Sequence, residues 1–257
     1  MKKWTATIAL CGLALLSCKE NATDPETGKA ILRIYLTDAV AQYDAVNITF
    51  SEVSAHVDSA WLVLSNQTQT VNLLEWNNGK TLLLGEAEVQ AGKYTQLRLK
   101  MQDASIVWNG QTFPMNVPSG AQSGLKLLTK FDVAVGSTYE IVLDFDAERS
   151  VVVTGPRNKP NGFLLKPVIR AVAVALTGSI SGDVLDPTNL PTAYAIANND
   201  TVTSSPVDTT TGFFRLAFLP PQNYTVVVSD TTGKSFTRAN VPVAAGKEYE
   251  MGEVVLK

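Results

Sequence analysis

The stretch Val46-Asn-Ile-Thr-Phe-Ser51 decides the fold class, because its apolar and polar side chains alternate without interruption. A repeat of two residues is that of a β-strand, in which neighbouring side chains point to opposite faces of a sheet. The apolar residues of this stretch would line a hydrophobic core, and its polar residues would face water. The pattern therefore predicts a strand in a sheet that is buried on one side.

Similar segments follow along the chain and are separated by turn signals. The clearest turn is Asn109-Gly110, which joins two short strands in the manner of a two-residue β-hairpin. Two places are compatible with a turn of helix, one capped by Thr37-Asp38-Ala39 and one within Leu82–Val89. The further strands expected in this part are 31–36, 61–64, 70–74, 94–101, 105–108, 131–135, 139–145, 150–153 and 163–175.

A second unit begins near Thr177 and contains its own set of expected strands. The segments that read as strands are Gly178–Val184, Phe213–Leu219, Tyr224–Val228, Phe236–Val243 and Glu248–Leu256. About eighty residues with roughly seven strands is the size of one small sandwich. The chain is therefore predicted to be an all-β protein with two consecutive β-sandwich domains, at 30–176 and 177–257.

Residues 1–17 have the pattern of a secretory signal peptide: two lysines, the apolar run Trp4–Leu16 and the small Ser17. The apolar run is too short to span a bilayer. Cys18 follows directly, as in the lipobox of bacterial lipoproteins. We therefore predict cleavage before Cys18, a lipid anchor on its thiol and a flexible tether at 18–29. The alternative is a free thiol behind an uncleaved anchor.

The composition is that of a folded protein with few charges and almost no cysteine. The chain is 45% hydrophobic and 18% charged, with a formal net charge of −3. A mildly acidic chain without a basic run is not expected to bind nucleic acid. The only cysteines are Cys11, which would leave with the signal peptide, and Cys18. The mature protein would therefore have no disulfide and no thiol nucleophile.

Asp144, Asp146 and Glu148 are two residues apart, so on one strand they would point to the same side. They could form an acidic face beside Arg149, or pair across the sheet with Lys126, Lys166 or Arg170. Alternatively, Asp144 and Asp146 could hold Ca²⁺, or could act as the acid and base of a polysaccharide hydrolase. We favour the structural role, so we predict no catalytic residue and no cofactor beyond the Ca²⁺ alternative.

The segment Pro118–Lys126 is rich in glycine and serine and ends in a lysine. It lacks the spacing of a phosphate-binding loop, since Gly120 and Gly124 are too close and Leu125 separates Gly124 from the lysine. A tight structural loop is one interpretation. The other is a surface that hydrogen-bonds a polar ligand such as a sugar through Ser119, Gln122, Ser123 and Lys126.

The aromatic residues and the single histidine offer one further candidate. Trp61 and Trp108 lie in expected strands and are predicted to pack in the core, whereas Trp76 lies at a turn and could form a platform for a sugar ring. His56 is the only histidine, which excludes a zinc site built on several histidines. No G-x-S-x-G motif accompanies it, so we predict no serine hydrolase.

The first domain resembles a family catalogued as domain of unknown function 4382, which occurs in bacterial lipoproteins. The resemblance covers roughly Ala30 to Ala175 and implies an exported β-rich domain. The segments that carry it are Leu36-Thr-Asp-Ala39, Tyr43-Asp-Ala-Val-Asn-Ile-Thr49, Ser51-Glu-Val53, Ala91-Gly-Lys-Tyr-Thr-Gln-Leu-Arg98, Pro118-Ser-Gly-Ala-Gln-Ser-Gly-Leu-Lys126, Leu143-Asp-Phe-Asp-Ala147 and Leu165-Lys-Pro-Val-Ile-Arg170.

The second domain resembles the carboxypeptidase regulatory-like modules, which have a transthyretin-like (prealbumin-like) sandwich. The match rests on Gly178–Val184, on Gly212-Phe-Phe-Arg-Leu-Ala-Phe-Leu-Pro-Pro221 before Tyr224–Val228, and on Val243-Ala-Ala-Gly-Lys247. Gln222 and Asn223 stand where such modules usually have a glycine after the proline turn. The resemblance implies a fold and says little about function, because these modules serve as spacers and docking units in many proteins.

These observations favour a lipid-anchored protein of the bacterial cell envelope, in the outer membrane and facing either the surface or the periplasm. The leading hypothesis is a non-enzymatic binding or scaffolding role, with a glycan or another envelope protein as partner and the membrane bound through Cys18. One alternative is a secreted polysaccharide hydrolase that uses Asp144 and Asp146. The other is a structural subunit that pairs strands with its neighbours, as a pilin does.

Overall fold

The computed structural model describes residues 28–156 and 160–257. The predicted signal peptide, Cys18 and most of the predicted tether lie outside these ranges. Within them the chain forms nineteen strands, two short α-helices and two 3₁₀ turns. The all-β prediction is therefore confirmed. No helix in the described ranges is long and apolar enough to cross a membrane.

The first sandwich contains twelve strands and both α-helices. The strands are β1 (Lys29–Asp38), β2 (Ala45–Val57), β3 (Ala60–Ser65), β4 (Gln69–Asn72), β5 (Leu82–Gln90), β6 (Gly92–Trp108), β7 (Gln111–Asn116), β8 (Leu125–Val133), β9 (Thr138–Phe145), β10 (Val151–Thr154), β11 (Gly162–Leu165) and β12 (Ile169–Ala173). The helices are α1 (Ser119–Gly124) and α2 (Ala147–Ser150), and 3₁₀ turns occur at Leu73–Glu75 and Val174–Leu176.

Two sheets of the first sandwich enclose one hydrophobic core. One sheet has the order β12-β9-β1-β5, in which β1 runs parallel to β9. The other has the order β10-β11-β7-β6-β2-β3, with β4 added to β2 and β8 added to β6. The alternation that predicted a half-buried strand is present in β2, since Val46, Ile48 and Phe50 are fully buried. Burial of such side chains contributes roughly 1.5–3 kcal/mol each to folding.

The second sandwich has a separate core. Its strands are β13 (Gly178–Leu185), β14 (Thr192–Ala197), β15 (Asp200–Pro206), β16 (Phe213–Leu219), β17 (Asn223–Ser229), β18 (Ser235–Pro242) and β19 (Glu248–Val255). They form one sheet of order β16-β13-β19 and one of order β15-β14-β17-β18. Phe214, Tyr224 and Val226 are among the fully buried side chains between them.

Neither expected turn of helix near the start of the chain is present. Leu82–Val89 lies in β5, which pairs antiparallel with β1 along its whole length. Thr37 and Asp38 end β1 and cap no helix. Their side chains make tertiary contacts: the Thr37 hydroxyl donates to the carbonyls of Trp76 and Lys80, and Asp38 accepts from the backbone N–H of Ala147. Tertiary pairing therefore overrides the local signals at both places.

Three other local expectations also change. The segment expected as a loop at Pro118–Lys126 contains helix α1, and the two strands expected at 94–101 and 105–108 are one continuous strand, β6. The strand expected at 163–175 is divided into two strands, β11 and β12. The Asn109-Gly110 hairpin is confirmed: both residues have positive φ, 51° and 72°, and they join β6 to β7.

Candidate functional site

The acidic residues singled out in the sequence do not share one strand face. Asp144 lies on β9, whereas Asp146 caps helix α2 and Glu148 lies within it. The Asp146 carboxylate accepts from the backbone N–H of Arg149 at 2.9 Å and from its Nε at 2.7 Å. No group of three or more histidine, cysteine or acidic side chains in the described ranges is arranged to hold a metal ion. The Ca²⁺ site at Asp144 and Asp146 therefore stays a prediction, and the described residues contain no preformed cluster of ligands for it.

Asp144 belongs to a contact between the two sandwiches. Its side chain is 6% exposed and accepts from Nη2 of Arg170 at 2.5 Å. Nη1 of Arg170 donates to the Phe218 carbonyl of the second sandwich at 2.8 Å. Burial raises the pKa of Asp144 despite the opposing effects of Arg170 and of Thr203 in the second sandwich. The pairing with Arg170, one of the sequence alternatives, is therefore present and connects the domains.

A second contact between the sandwiches centres on Asn78, which has positive φ in the turn after Trp76. Its Oδ1 accepts from the backbone N–H of Arg215 at 2.9 Å and from the Ser205 hydroxyl. Its Nδ2 donates to the Pro206 carbonyl at 3.0 Å. One amide therefore satisfies three backbone or hydroxyl groups of the second sandwich, which fixes the relative position of the two domains.

Asp38 is a buried carboxylate close to the contact between the two sandwiches, and one of its two oxygens has no hydrogen-bond partner. It is 3% exposed, Oδ1 accepts from the Ala147 N–H at 3.0 Å, and Oδ2 has no partner. Burial, with Asp144 and Asp146 nearby, raises its pKa well above the ordinary range. The adjoining cavity between the sandwiches, about 10 Å³, has room for one water molecule.

The exposed face of the larger sheet carries a different cluster, built from side chains on β2, β3, β6 and β8. The strand register aligns Trp61 with His56, and Ser54 with Arg98 and Lys126. We call the cluster of Trp61, His56, Arg98, Lys100 and Lys126 the Trp61 patch. Residues of one register row point to one side of a sheet, so these side chains share the outer face.

The Arg98 guanidinium lies over the Trp61 ring. Its guanidinium carbon lies 4.3 Å from the centroid of the Trp61 ring, while Nη2 donates to Glu52 at 2.9 Å and Nε to Ser54 at 3.1 Å. Lys100 donates to the other Glu52 oxygen at 2.7 Å. The bonds from Lys100 and Arg98 hold the pKa of Glu52 below its ordinary value. The carboxylate is therefore charged at neutral pH and fixes the guanidinium in a stacked position.

The remaining members of the patch complete an aromatic and basic surface. Nζ of Lys126 lies 5.8 Å from the Trp61 centroid, and the His56 ring meets Trp61 edge-on at 5.1 Å. Nδ1 of His56 is 2.9 Å from the Thr95 hydroxyl. The patch thus has three cations against one carboxylate, although the whole chain is acidic. A groove of about 280 Å³ lies on the other side of Trp61, between Leu62 and Tyr94.

Helix α1 brings the predicted sugar-binding segment to the edge of this patch. Ser119, Gln122, Ser123 and Lys126 are all exposed, and Ala121 anchors the helix in the core. Gln122 and Ser123 bond only carbonyls of their own segment, Val117 and Gly120. Gly124, at φ +123°, faces Arg98, and a Cβ there would lie 2.5 Å from Cδ of Arg98. Glycine at this position therefore leaves the room in which Arg98 stacks on Trp61.

The tryptophans are placed differently from the sequence expectation. Trp61, expected in the core, is only partly buried and forms the patch, whereas Trp108 packs against the first core as expected. Trp76 also packs against that core, and its carbonyl accepts from Thr37 and from the Asp38 N–H. It lies at the Asp38 end of β1, while Trp61 lies near Lys29 at the other end. The structure brings Lys126 to Trp61 and keeps Trp76 apart from both.

Sequence reasoning missed Arg98 and Lys100 as functional candidates. Their alternation with the buried Leu97 and Leu99 marks both as outward-facing. That signal alone does not identify Trp61 as their neighbour, because the contact depends on the β2–β3 and β2–β6 registers.

Two family models match the chain in the order expected from the sequence. The model described as domain of unknown function (DUF4382) matches residues 29–167, more than half of the chain. The model described as carboxypeptidase regulatory-like domain matches residues 179–257. Both resemblances are therefore confirmed. No curated protein matches the chain.

The chain also has some likeness to solved structures of bacterial proteins, among them a pilin subunit and a fimbrial anchor protein. The Bacillus anthracis TIE protein has 14% identity and a TM-score of 0.25, covering 90% of this chain and 34% of its own. The major pilin subunit BcpA of Bacillus cereus has 8% identity and a TM-score of 0.21, and the match covers 89% of this chain and 70% of BcpA. The fimbrial anchor protein Mfa2 of Porphyromonas gingivalis has 13% identity and a TM-score of 0.19, and the match covers 81% of this chain and 82% of Mfa2. The chain spans about a third of the TIE protein.

Proposed function

We propose that this chain, which belongs to the family described as domain of unknown function (DUF4382), is a non-enzymatic binding and scaffolding protein of the bacterial cell envelope. Its ligand would be a glycan with acidic groups, bound at the Trp61 patch. The anchor would be the lipidated Cys18, in the outer membrane. The second sandwich would serve as a spacer or dock held against the first.

The observation that carries this proposal is the pair of Trp61 and Arg98 on the outer face of the larger sheet, with the guanidinium over the partly exposed ring. A flat ring surface packs against the apolar face of a sugar, and fixed cations beside it attract carboxylate or sulfate groups. Lys126 makes no ion pair with any described side chain, so its charge is open to a ligand. The exposed polar groups of Ser119 and Gln122 extend the same surface and would hydrogen-bond sugar hydroxyls.

A binding role also agrees with the state of the acidic residues. A glycosidase acid needs a raised pKa together with access to substrate. Asp144 has the raised pKa, but it is buried against Arg170 between the two sandwiches. Asp146 is more exposed but bonds Arg149. These two carboxylates therefore support a structural contact better than a hydrolase.

The proposal is tested by electrophoresis of the purified protein through gels that contain polygalacturonate or, as the neutral control, dextran. We expect retardation in polygalacturonate alone, and loss of retardation in Trp61→Ala. Trp76→Phe is the matched control at the tryptophan placed away from the patch, and it is expected to bind normally. Equal binding by Trp61→Ala and the unchanged protein would overturn the proposed site, and release of reducing ends would overturn the non-enzymatic role.

The envelope location is tested separately on producing cells. Labelled fatty acid should be incorporated into the unchanged protein and not into Cys18→Ser. Added protease should remove the second sandwich from intact cells if the protein faces the medium, while a periplasmic control protein survives. Survival of the domain until the outer membrane is opened would place the protein in the periplasm, provided that the purified protein is itself cut.

A further inference from the structure

Strand β8 is an open edge of the larger sheet. It pairs with β6 from Gly92↔Val133 to Leu99↔Leu125 and with no other described strand. An edge strand of nine residues has a row of N–H and C=O groups that no ladder satisfies. Such an edge can accept an additional strand from another chain.

The exposed side chains of β8 indicate the charge that an added strand should carry. Leu128 is 84% exposed, more than any other large apolar side chain in the described ranges. Lys126 and Lys130 flank it, both exposed, and neither forms an ion pair with a described residue. Lysines on an edge discourage pairing with a neutral or basic strand. They also favour a strand that carries carboxylates, because opposite charges on paired strands attract.

The last strand of the chain, β19, is an edge strand that carries carboxylates. β19 is the edge of its sheet and forms a ladder only with β13 among the described strands. Two contacts with β18 lie beside it: the Met251 carbonyl accepts from Nη1 of Arg238, and Lys257, past the end of β19, exchanges two backbone hydrogen bonds with Ser235. Glu250 and Glu253 are exposed on it and have no ion-pair partner in the described ranges. Val255 is 48% exposed, so this edge, like β8, also exposes an apolar side chain.

We propose that copies of this protein assemble head to tail, with β19 of one copy added to the open edge of β8 in the next. Pairing of β8 with a second β8 about Leu128 would place Lys126 opposite Lys130, and pairing of β19 with β19 would bring glutamates together. The mixed pairing is therefore the favoured one. Because β8 and β19 belong to different domains, each copy keeps one open edge after pairing. Such heterologous contacts extend into open chains or rings.

This inference goes beyond the proposed binding function and does not depend on Trp61. Assembly uses the edge of β8 with Lys126 and Lys130, whereas glycan binding uses Trp61 and Arg98 on the sheet face, so Lys126 is the one residue that both proposals share. The variant Trp61→Ala is expected to assemble normally, so failure of one proposal is distinguishable from failure of the other.

The test is zero-length carbodiimide cross-linking of the full chain in membranes of cells that produce it, with mass spectrometry of the joined peptides. A mixture of light and heavy isotope-labelled protein identifies links between copies. We expect mixed-isotope links between the peptides of Lys126 or Lys130 and those of Glu250 or Glu253. Absence of any such link, while other surface lysines react, would overturn the proposal.

Charge reversal gives the specificity control. The variants Lys126→Glu/Lys130→Glu and Glu250→Lys/Glu253→Lys should each lose at least tenfold of the linked species. Cells producing both variants should regain links between the two reversed strands. Lys166→Glu, at an exposed lysine outside β8 and β19, should link as the unchanged protein does. Circular dichroism confirms that each variant is folded, and links that persist in both reversed variants would contradict the proposed pairing.

Discussion

Removal of the Arg170 guanidinium tests whether the contact between the sandwiches stabilises the whole protein. In Arg170→Met, the Asp144 carboxylate stays buried at 6% exposure and loses its partner at 2.5 Å, and the Phe218 carbonyl loses its donor at 2.8 Å. Breaking a buried pair on one side costs about 3–5 kcal/mol, because a charge is left uncompensated. For a chain of this size we expect a decrease in the melting temperature of roughly 6–20 °C.

Scanning calorimetry and urea unfolding measure this effect. The double variant Asp144→Asn/Arg170→Met should be more stable than Arg170→Met, because it removes the stranded charge. Arg149→Met is the matched control: Arg149 is 50% exposed, and it also bridges the sandwiches, 3.6 Å from Asp200. An exposed pair contributes only about 0–1 kcal/mol. Equal, small losses in Arg170→Met and Arg149→Met would refute the reasoning that burial makes the Arg170 contact important.

Three further predictions concern single side chains. Asp38→Asn should raise the free energy of unfolding at pH 7 by about 1–3 kcal/mol, because an unpaired buried carboxylate is removed. Since burial raises the pKa of Asp38, the unchanged protein should lose stability as the pH rises through that pKa, and urea unfolding from pH 4 to 8 should show a flatter profile for the variant. The lowered pKa of Glu52 provides stability that is present above pH ~4.3 and is lost as the pH falls through the pKa of Glu52 in the folded protein. Glu52→Gln should remove this stability. Equal acid sensitivity of the variant and the unchanged protein would contradict this. Gly124→Val should push Arg98 away from Trp61 and change the emission maximum of that tryptophan, whereas Gly120→Val, where nothing lies within 4 Å, should leave it unchanged.

The sequence was sufficient to predict the fold class and both domain families, because their signals are local. The alternation at Val46–Ser51 and the Asn109-Gly110 turn act within a few residues, and both are present in the structure. Strand β14 was missed because its pattern is inverted. The small Ala193 and Ala195 are buried while Tyr194 and Ile196 are partly exposed, so size and hydrophobicity do not mark the inward face.

The candidate site was predicted only in part, because its members are brought together by strand registers. Contact of Lys126 with a polar ligand was one of two interpretations of its segment, and the structure places Lys126 beside Trp61, which was expected in the core. Arg98 and Trp61 are distant in sequence and meet only because β3 and β6 both flank β2. The acidic pair was expected on one strand face. Helix α2 begins directly after Asp146, so Asp146 caps this helix, whereas Asp144 on β9 pairs with Arg170.

The most direct test of the central proposal is a calorimetric titration of the purified protein with polygalacturonate oligomers. We expect saturable binding without release of reducing ends, weakened about tenfold, or about 1.4 kcal/mol, in Trp61→Ala and further in Trp61→Ala/Lys126→Ala. Binding to the unchanged protein should weaken with added salt, since part of it is electrostatic. Saturable binding that is unaffected by either substitution would contradict a glycan site at the Trp61 patch, as would the absence of binding to the unchanged protein.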